Sequence, residues 1–129
     1  MPASDVVDPS TVRLERGHGS KGRGDGPGAT YWHIYVGDMR AGHVYINVVD
    51  DASIGTHASI QIQINKALQR RGIGKVAYQL AAEQSGYDTV YAHMRKSNIG
   101  SRRAAEAAGF EVVDDPLERQ LLMRWHARS

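Results

Sequence analysis

The stretch that most constrains this chain runs from Ile60 to Ala82. Ile60-Gln61-Ile62-Gln63-Ile64-Asn65 alternates apolar and polar side chains, the period of a half-buried strand. Val76-Ala77-Tyr78-Gln79-Leu80-Ala81-Ala82 is an apolar helical run. Between them lies a basic glycine turn, Gln69-Arg70-Arg71-Gly72-Ile73-Gly74. A strand, a basic turn and a helix start together make an anion site. The first N–H groups of a helix have no intrahelical partner, and the helix dipole adds positive potential there. Glycines let the backbone approach a phosphate closely and let successive N–H groups form a concave nest. Two common phosphate loops do not fit. Gly72-Ile73-Gly74-Lys75 is followed by Val76, where a Walker-type loop places a Ser or Thr on magnesium. A dinucleotide fingerprint needs a third glycine where Ala77 stands.

A second segment narrows the reading: Met94-Arg95-Lys96-Ser97-Asn98, then Ser101, then Ala107-Ala108-Gly109-Phe110. Together the two segments resemble the GNAT superfamily of acyl-CoA-dependent N-acetyltransferases. That family carries Q/R-x-x-G-x-G/A after its fourth strand, matched by Gln69, Gly72 and Gly74. It then carries a strand ending V-x-x-x-N and a helix ending G-F, matched by Met94, Asn98 and Gly109-Phe110. The approach from Ile62 to Gln69 is similar to the family's L-x-V-x-P-x-Y-Q without its proline. The resemblance is strong from about Val44 to Phe110.

The resemblance implies an acyl-CoA cosubstrate, most simply acetyl-CoA, and an amine acceptor. It implies that the pantetheine arm pairs with the backbone of Ile62 and Ile64, and that an N–H near Ile64 polarises the thioester carbonyl. Gln69, Arg70, Arg71, Gly72, Ile73, Gly74 and Lys75 would hold the pyrophosphate. Asn98 and Ser101 would lie near the pantetheine arm, and Arg102 with Arg103 would reach the ribose phosphate. Position also singles out His93. It stands where relatives resembling ribosomal-protein alanine acetyltransferases place a glutamate, five residues before the motif asparagine. At the position where many relatives carry a tyrosine acid, four residues before Gly-Phe, this chain has Ala105.

Charge agrees with a phosphate ligand. The chain's net charge is +2, yet residues 66–103 hold eight Lys and Arg against Glu83 and Asp88, a surplus of six that leaves −4 elsewhere. A nucleic acid would account for the same surplus. The clustering at the turn and the helix starts favours a cofactor phosphate. With no cysteine there are no disulfides, thiolate metal ligands or thiol nucleophiles. The six histidines show neither H-x-x-x-H nor H-E-x-x-H spacing, so no metal is expected. Met1-Pro2-Ala3-Ser4-Asp5 lacks the basic start of a secretory signal, and no apolar run approaches the length of a membrane span. A cytoplasmic protein with no membrane partner is the expectation.

At 129 residues the chain reads as one domain over 1–129. Val6 to Glu15 holds one short strand. Gly17 to Gly28, with six glycines in twelve residues, reads as a flexible loop. Strands follow over Thr30–Val36, Arg40–Val49 and Thr56–Asn65, with Asp50-Asp51-Ala52-Ser53 as the second turn. A helix spans Lys75–Ser85 with Val76, Leu80 and Gln84 on one side and Tyr78 and Ala81–Ala82 adjoining, ended by Gly86. Thr89–Arg95 is a strand, and Asn98 or Ser97 caps a helix to Ala108. Phe110–Val113 and Gln120–Trp125 are final strands flanking Asp114-Asp115-Pro116. This order, β-β-β-β-α-β-α-β-β, predicts an α+β fold with a GNAT-like mixed, mostly antiparallel sheet and two main helices.

The glycine loop stands where the family usually places two helices that bound the acceptor site. That side is therefore open, completed by a second copy in a homodimer, or built from the loop on binding. Transfer needs a neutral amine, and His93 is suited to accept its proton near pH 7. His57 and His33 are weaker candidates, and Tyr31, Tyr35, Tyr45, Tyr78 and Tyr91 are candidates for the acid absent at Ala105. Two functional classes follow. One is an N-acetyltransferase using direct attack in a ternary complex. The other is a non-catalytic GNAT-like module that binds CoA or nucleic acid.

Overall fold

The computed structural model describes residues 6–114 and 119–127. After a 3-10 turn at Pro9–Thr11, four antiparallel strands follow in chain order: β1 (Val12–Arg16), β2 (Thr30–Val36), β3 (Met39–Asp51) and β4 (Gly55–Ile64). Helix α1 (Ile73–Gln84) crosses to β5 (Thr89–Met94), helix α2 (Ile99–Ala107) follows, and β6 (Glu111–Val113) and β7 (Leu121–His126) close the sheet. The spatial order is β1-β2-β3-β4-β5-β7-β6, with β4 and β5 parallel and the other pairs antiparallel. The predicted α+β order is the observed one. Strand β3 runs on through Asp50 and Asp51, which pair with Thr56 and Gly55, so the turn is tighter than expected. Of Asp114-Asp115-Pro116 only Asp114 is among the described residues.

Alternation puts one face of the sheet in the core. Trp32 and Ile34 of β2, Val44 and Ile46 of β3, Ala58 and Ile60 of β4, Val90 and Ala92 of β5, and Met123 of β7 are buried on it. Each large apolar side chain removed from water there contributes about 1.5–3 kcal/mol. Helix α1 covers this face with Ile73, Ala77, Tyr78, Ala81 and Ala82. Tyr78, Ala81 and Ala82, expected beside the stripe, are at its buried centre, while Gln84 is exposed and Val76 and Leu80 are only half-buried. The alanines are what decide it. Having no side chain beyond Cβ, they let the helix axis approach the sheet, and the larger Leu80 is turned to the margin.

Both helix starts are set by local chemistry. Gly72 adopts a left-handed conformation (φ 83°) and turns the chain into α1 two residues earlier than the periodicity suggests. Asn98 caps α2, its side-chain oxygen accepting from Ser101 N at 3.2 Å. The helices lie side by side, close enough that a Cβ on Gly74 would sit 3.4 Å from that of Ala104.

One strand glycine fixes the register. β2 and β3 slip by one residue between Ile34 and Tyr35, leaving Ala41 as the bulged residue. Gly42, next to it, packs so tightly against β4 that a Cβ would overlap the backbone oxygen of Gln63. Gly42→Ala is therefore expected to cost about 1–3 kcal/mol and lower the melting temperature by several degrees. An unchanged thermal unfolding curve would contradict this account of the bulge.

Candidate functional site

The site is made by a short seam. β4 and β5 pair only at Ala58↔Val90 and Ser59↔Tyr91. Beyond that point Ile60 to Ile64 remain paired with β3, and Ala92 to Met94 with β7, so the two halves of the sheet part company. The free edge of β4 can be assigned by alternation. Asn65 N donates to Ala41 O on the β3 side, so Gln63 points the same way and Ile62 and Ile64 present their backbone groups to the gap. Ile64 O is already used there, accepting from Gln69 Nε2 at 3.0 Å.

The gap continues into a cleft of about 1120 Å³ along the start of α1 and one side of α2. Its size suits a long, extended ligand. At its α1 end Arg70 (φ 66°) and Gly72 (φ 83°) both adopt left-handed conformations, curling the turn around the cleft. Gly72 supplies no side-chain cap, so the first-turn N–H groups keep their capacity for an external acceptor. Of the thirteen residues expected to bind cofactor, eleven line this cleft: Ile62, Ile64, Gln69, Arg70, Gly72, Ile73, Gly74, Lys75, Asn98, Ser101 and Arg103. Arg71 and Arg102 stand off its wall. Arg71 gives its carbonyl to Val7 N, and Arg102 pairs with Glu106 at 3.5 Å.

Tyr78 was among the candidate acids, but its partner across the wall was hidden from sequence reasoning. Tyr78, from the buried stripe of α1, reaches across to α2 and shares a 2.5 Å hydrogen bond with Ser101 Oγ. Its ring packs edge-on against Phe110, with centroids 5.5 Å apart. Burial raises the pKa of this phenol, and the Ser101 bond pulls the other way. Ala105 is fully buried and contributes no polar group.

His93 is not on the cleft wall. It lies on the opposite face of the sheet, which neither described helix covers. There His93 Nε2 lies 3.0 Å from Nε2 of His57, and His57 Nδ1 lies 2.8 Å from the carbonyl oxygen of Gly55. A carbonyl only accepts, so His57 Nδ1 carries the proton and its Nε2 accepts from His93 Nε2–H. In the neutral pair the basic lone pair of His93 is therefore at Nδ1. Sequence separation of 36 residues concealed this pairing.

The glycine-rich segment lies over the same face. Gly24 N donates to Asn47 Oδ1 at 2.8 Å, Asn47 Nδ2 donates to Gly22 O at 2.9 Å, and Tyr87 OH donates to Gly28 O at 2.6 Å. A Cβ on Gly24 would crowd Tyr31 and Tyr45, whose rings stack 6.3 Å apart beneath it. The segment thus occupies the β2–β3 side and leaves His57, His93 and Tyr91 beside it. Among the described residues no cluster of three or more His, Asp or Glu is arranged to hold a metal ion, and no helix is long and apolar enough to cross a membrane.

Comparison with known proteins fits this architecture. Residues 6–110 match the family model for "Acetyltransferase (GNAT) family", and the chain belongs to that family. No curated protein matches its sequence. Among solved structures it is similar to a Bordetella pertussis protein assigned to the GNAT acetyltransferases, at 24% identity and TM-score 0.63 over 81% of this chain and 70% of that one. It is also similar to a Bacillus subtilis acetyltransferase in complex with CoA, at 17% identity and TM-score 0.66 over 91% and 99%. A third is AAC(6')-Ib in complex with paromomycin and acetyl-CoA, at 17% identity and TM-score 0.61 over 77% and 65%.

The histidines make the fold pH-sensitive in a defined direction. Burial, and then His57, lower the pKa of His93, while Asp51 opposes them. Burial first and Arg40 second lower His33 and His43. The unfolded chain therefore binds more protons in the window below the ordinary histidine value of about 6.5. Their contribution to stability is complete above that value and is lost as pH falls from it through their lowered folded values. The melting temperature should drop between pH 7.5 and 5.5, and His93→Gln should make the drop shallower. A His93→Gln profile parallel to that of the unsubstituted protein would contradict this assignment.

Proposed function

We propose that the protein is an N-acetyltransferase that moves an acetyl group from acetyl-CoA to a primary amine by direct attack in a ternary complex. One observation carries the reading: an uncapped helix start and an open strand edge line the same cleft. The first suits a pyrophosphate, and the second suits an extended amide chain such as pantetheine. An acyl-CoA has both parts.

In this reading Gly72 to Lys75 offer backbone N–H groups to the pyrophosphate, with Arg70 and Lys75 adding charge. Ile62 and Ile64 pair with the pantetheine amides, and an N–H near Ile64 polarises the thioester carbonyl. Of the two arginines expected at the ribose phosphate, Arg103 keeps that part. The amine approaches from the helix-free face, and His93 Nδ1 accepts its proton. Burial suits His93 to that role, since a depressed pKa keeps the imidazole neutral at pH 7. His57 fixes the tautomer. A chain without cysteine offers no thiol for an acyl-enzyme, which favours direct transfer.

The test is release of CoA thiol from acetyl-CoA across a panel of polyamines, amino-acid amides, peptide N-termini and lysine peptides. At least one class should support turnover. His93→Gln should lower kcat by about 100-fold while acetyl-CoA still stabilises the variant against heat. Stabilisation by acetyl-CoA with no thiol release from any amine would instead identify a binding module.

A further inference from the structure

We propose that Tyr78 is the proton donor to the departing thiol, held in position by Ser101; this role rests on the acetyltransferase reading above. The phenol is out of place in its surroundings. Every other buried position of α1 is Ile or Ala, and the ring alone would serve packing against Phe110. A buried hydroxyl adds a desolvation cost that Phe or Leu would avoid. Its oxygen is offset by one bond, across the helix pair, to Ser101 Oγ at 2.5 Å.

Location gives the hydroxyl a task. Tyr78 and Ser101 both line the cleft, beside the wall that carries Ile62. Among the described lining residues Tyr78 is the single phenol, and the other proton-bearing side chains that titrate there, Arg70, Lys75 and Arg103, are cations suited to phosphate. His93 works from the other face of the sheet. The base is thus on the amine side of the seam and the phenol on the thiol side, so the two proton transfers need not compete for one group.

The step balances without a further reactant. The amine nitrogen forms a bond to the thioester carbon and loses its proton to His93. The C–S bond breaks, and its electron pair leaves on sulfur. With Ser101 O–H donating to the phenol oxygen, the Tyr78 proton points to the cleft and passes to that sulfur. Solvent restores the phenol, and one proton per turnover is released overall from an ammonium substrate. Burial keeps the phenol protonated in the resting protein.

The experiment uses Tyr78→Phe, which keeps the ring, and Ser101→Ala, which keeps the phenol but removes its partner. Tyr78→Phe should lower kcat about 10- to 100-fold, at or below the usual range for a general acid because a thiolate leaves readily. Its KM for acetyl-CoA should stay within about threefold. Ser101→Ala should lower kcat by a smaller factor with the same KM pattern. A Tyr78→Phe kcat within twofold of the unsubstituted protein overturns the role. Should Tyr78→Phe fail to fold, an unchanged kcat in Ser101→Ala overturns it equally. Absence of turnover by the unsubstituted protein overturns the acetyltransferase reading and this role with it.

Discussion

The molecule depends on how little β4 and β5 share. Two register pairs, Ala58↔Val90 and Ser59↔Tyr91, join a four-stranded block to a three-stranded one. A full parallel ladder would satisfy the edge of β4 and close the sheet. Stopping after two pairs leaves Ile62 and Ile64 with backbone groups facing a gap, and such groups call for partners. The crossover helix that a parallel pair requires then begins at that gap. One topological choice therefore places a polar strand edge and a helix N-terminus in the same cleft.

Much of this was legible because it is local. Two-residue alternation at Ile60–Ile64, the glycines at 72 and 74, the cap at Asn98 and the stop at Gly86 each act within a few residues of themselves. The resemblance added register between the two motifs, and eleven of thirteen expected cofactor residues do line one cleft. What escaped was decided by distant partners. Which stripe of α1 is buried depends on how closely alanines let it approach the sheet. Arg102 is the local exception, turned aside by Glu106 one helical turn along. Tyr78 with Ser101 and His57 with His93 are joined over 23 and 36 residues, a scale that periodicity does not report.

The two faces of the sheet have divided the work. The helix side is apolar except where Tyr78 meets Ser101, and it carries the positive turn. The other side is rich in Tyr and His, lies under a glycine-rich segment, and offers the hydrogen-bonded pair His57 and His93. That segment contains Gly24, which has a left-handed φ and lies flat on Tyr31 and Tyr45. Side chains at Gly24 would lift it off. Its composition, read from sequence as freedom, also serves close approach.

The most direct measurement is an amide nitrogen–proton correlation spectrum recorded while acetyl-CoA is added. The account predicts saturable shifts at Gly72, Ile73, Gly74 and Lys75 together with Ile62 and Ile64, since the turn and the strand edge should meet one ligand. No shifts at millimolar acetyl-CoA, or shifts confined to the helix-free face around Tyr31 and Tyr45, would contradict it.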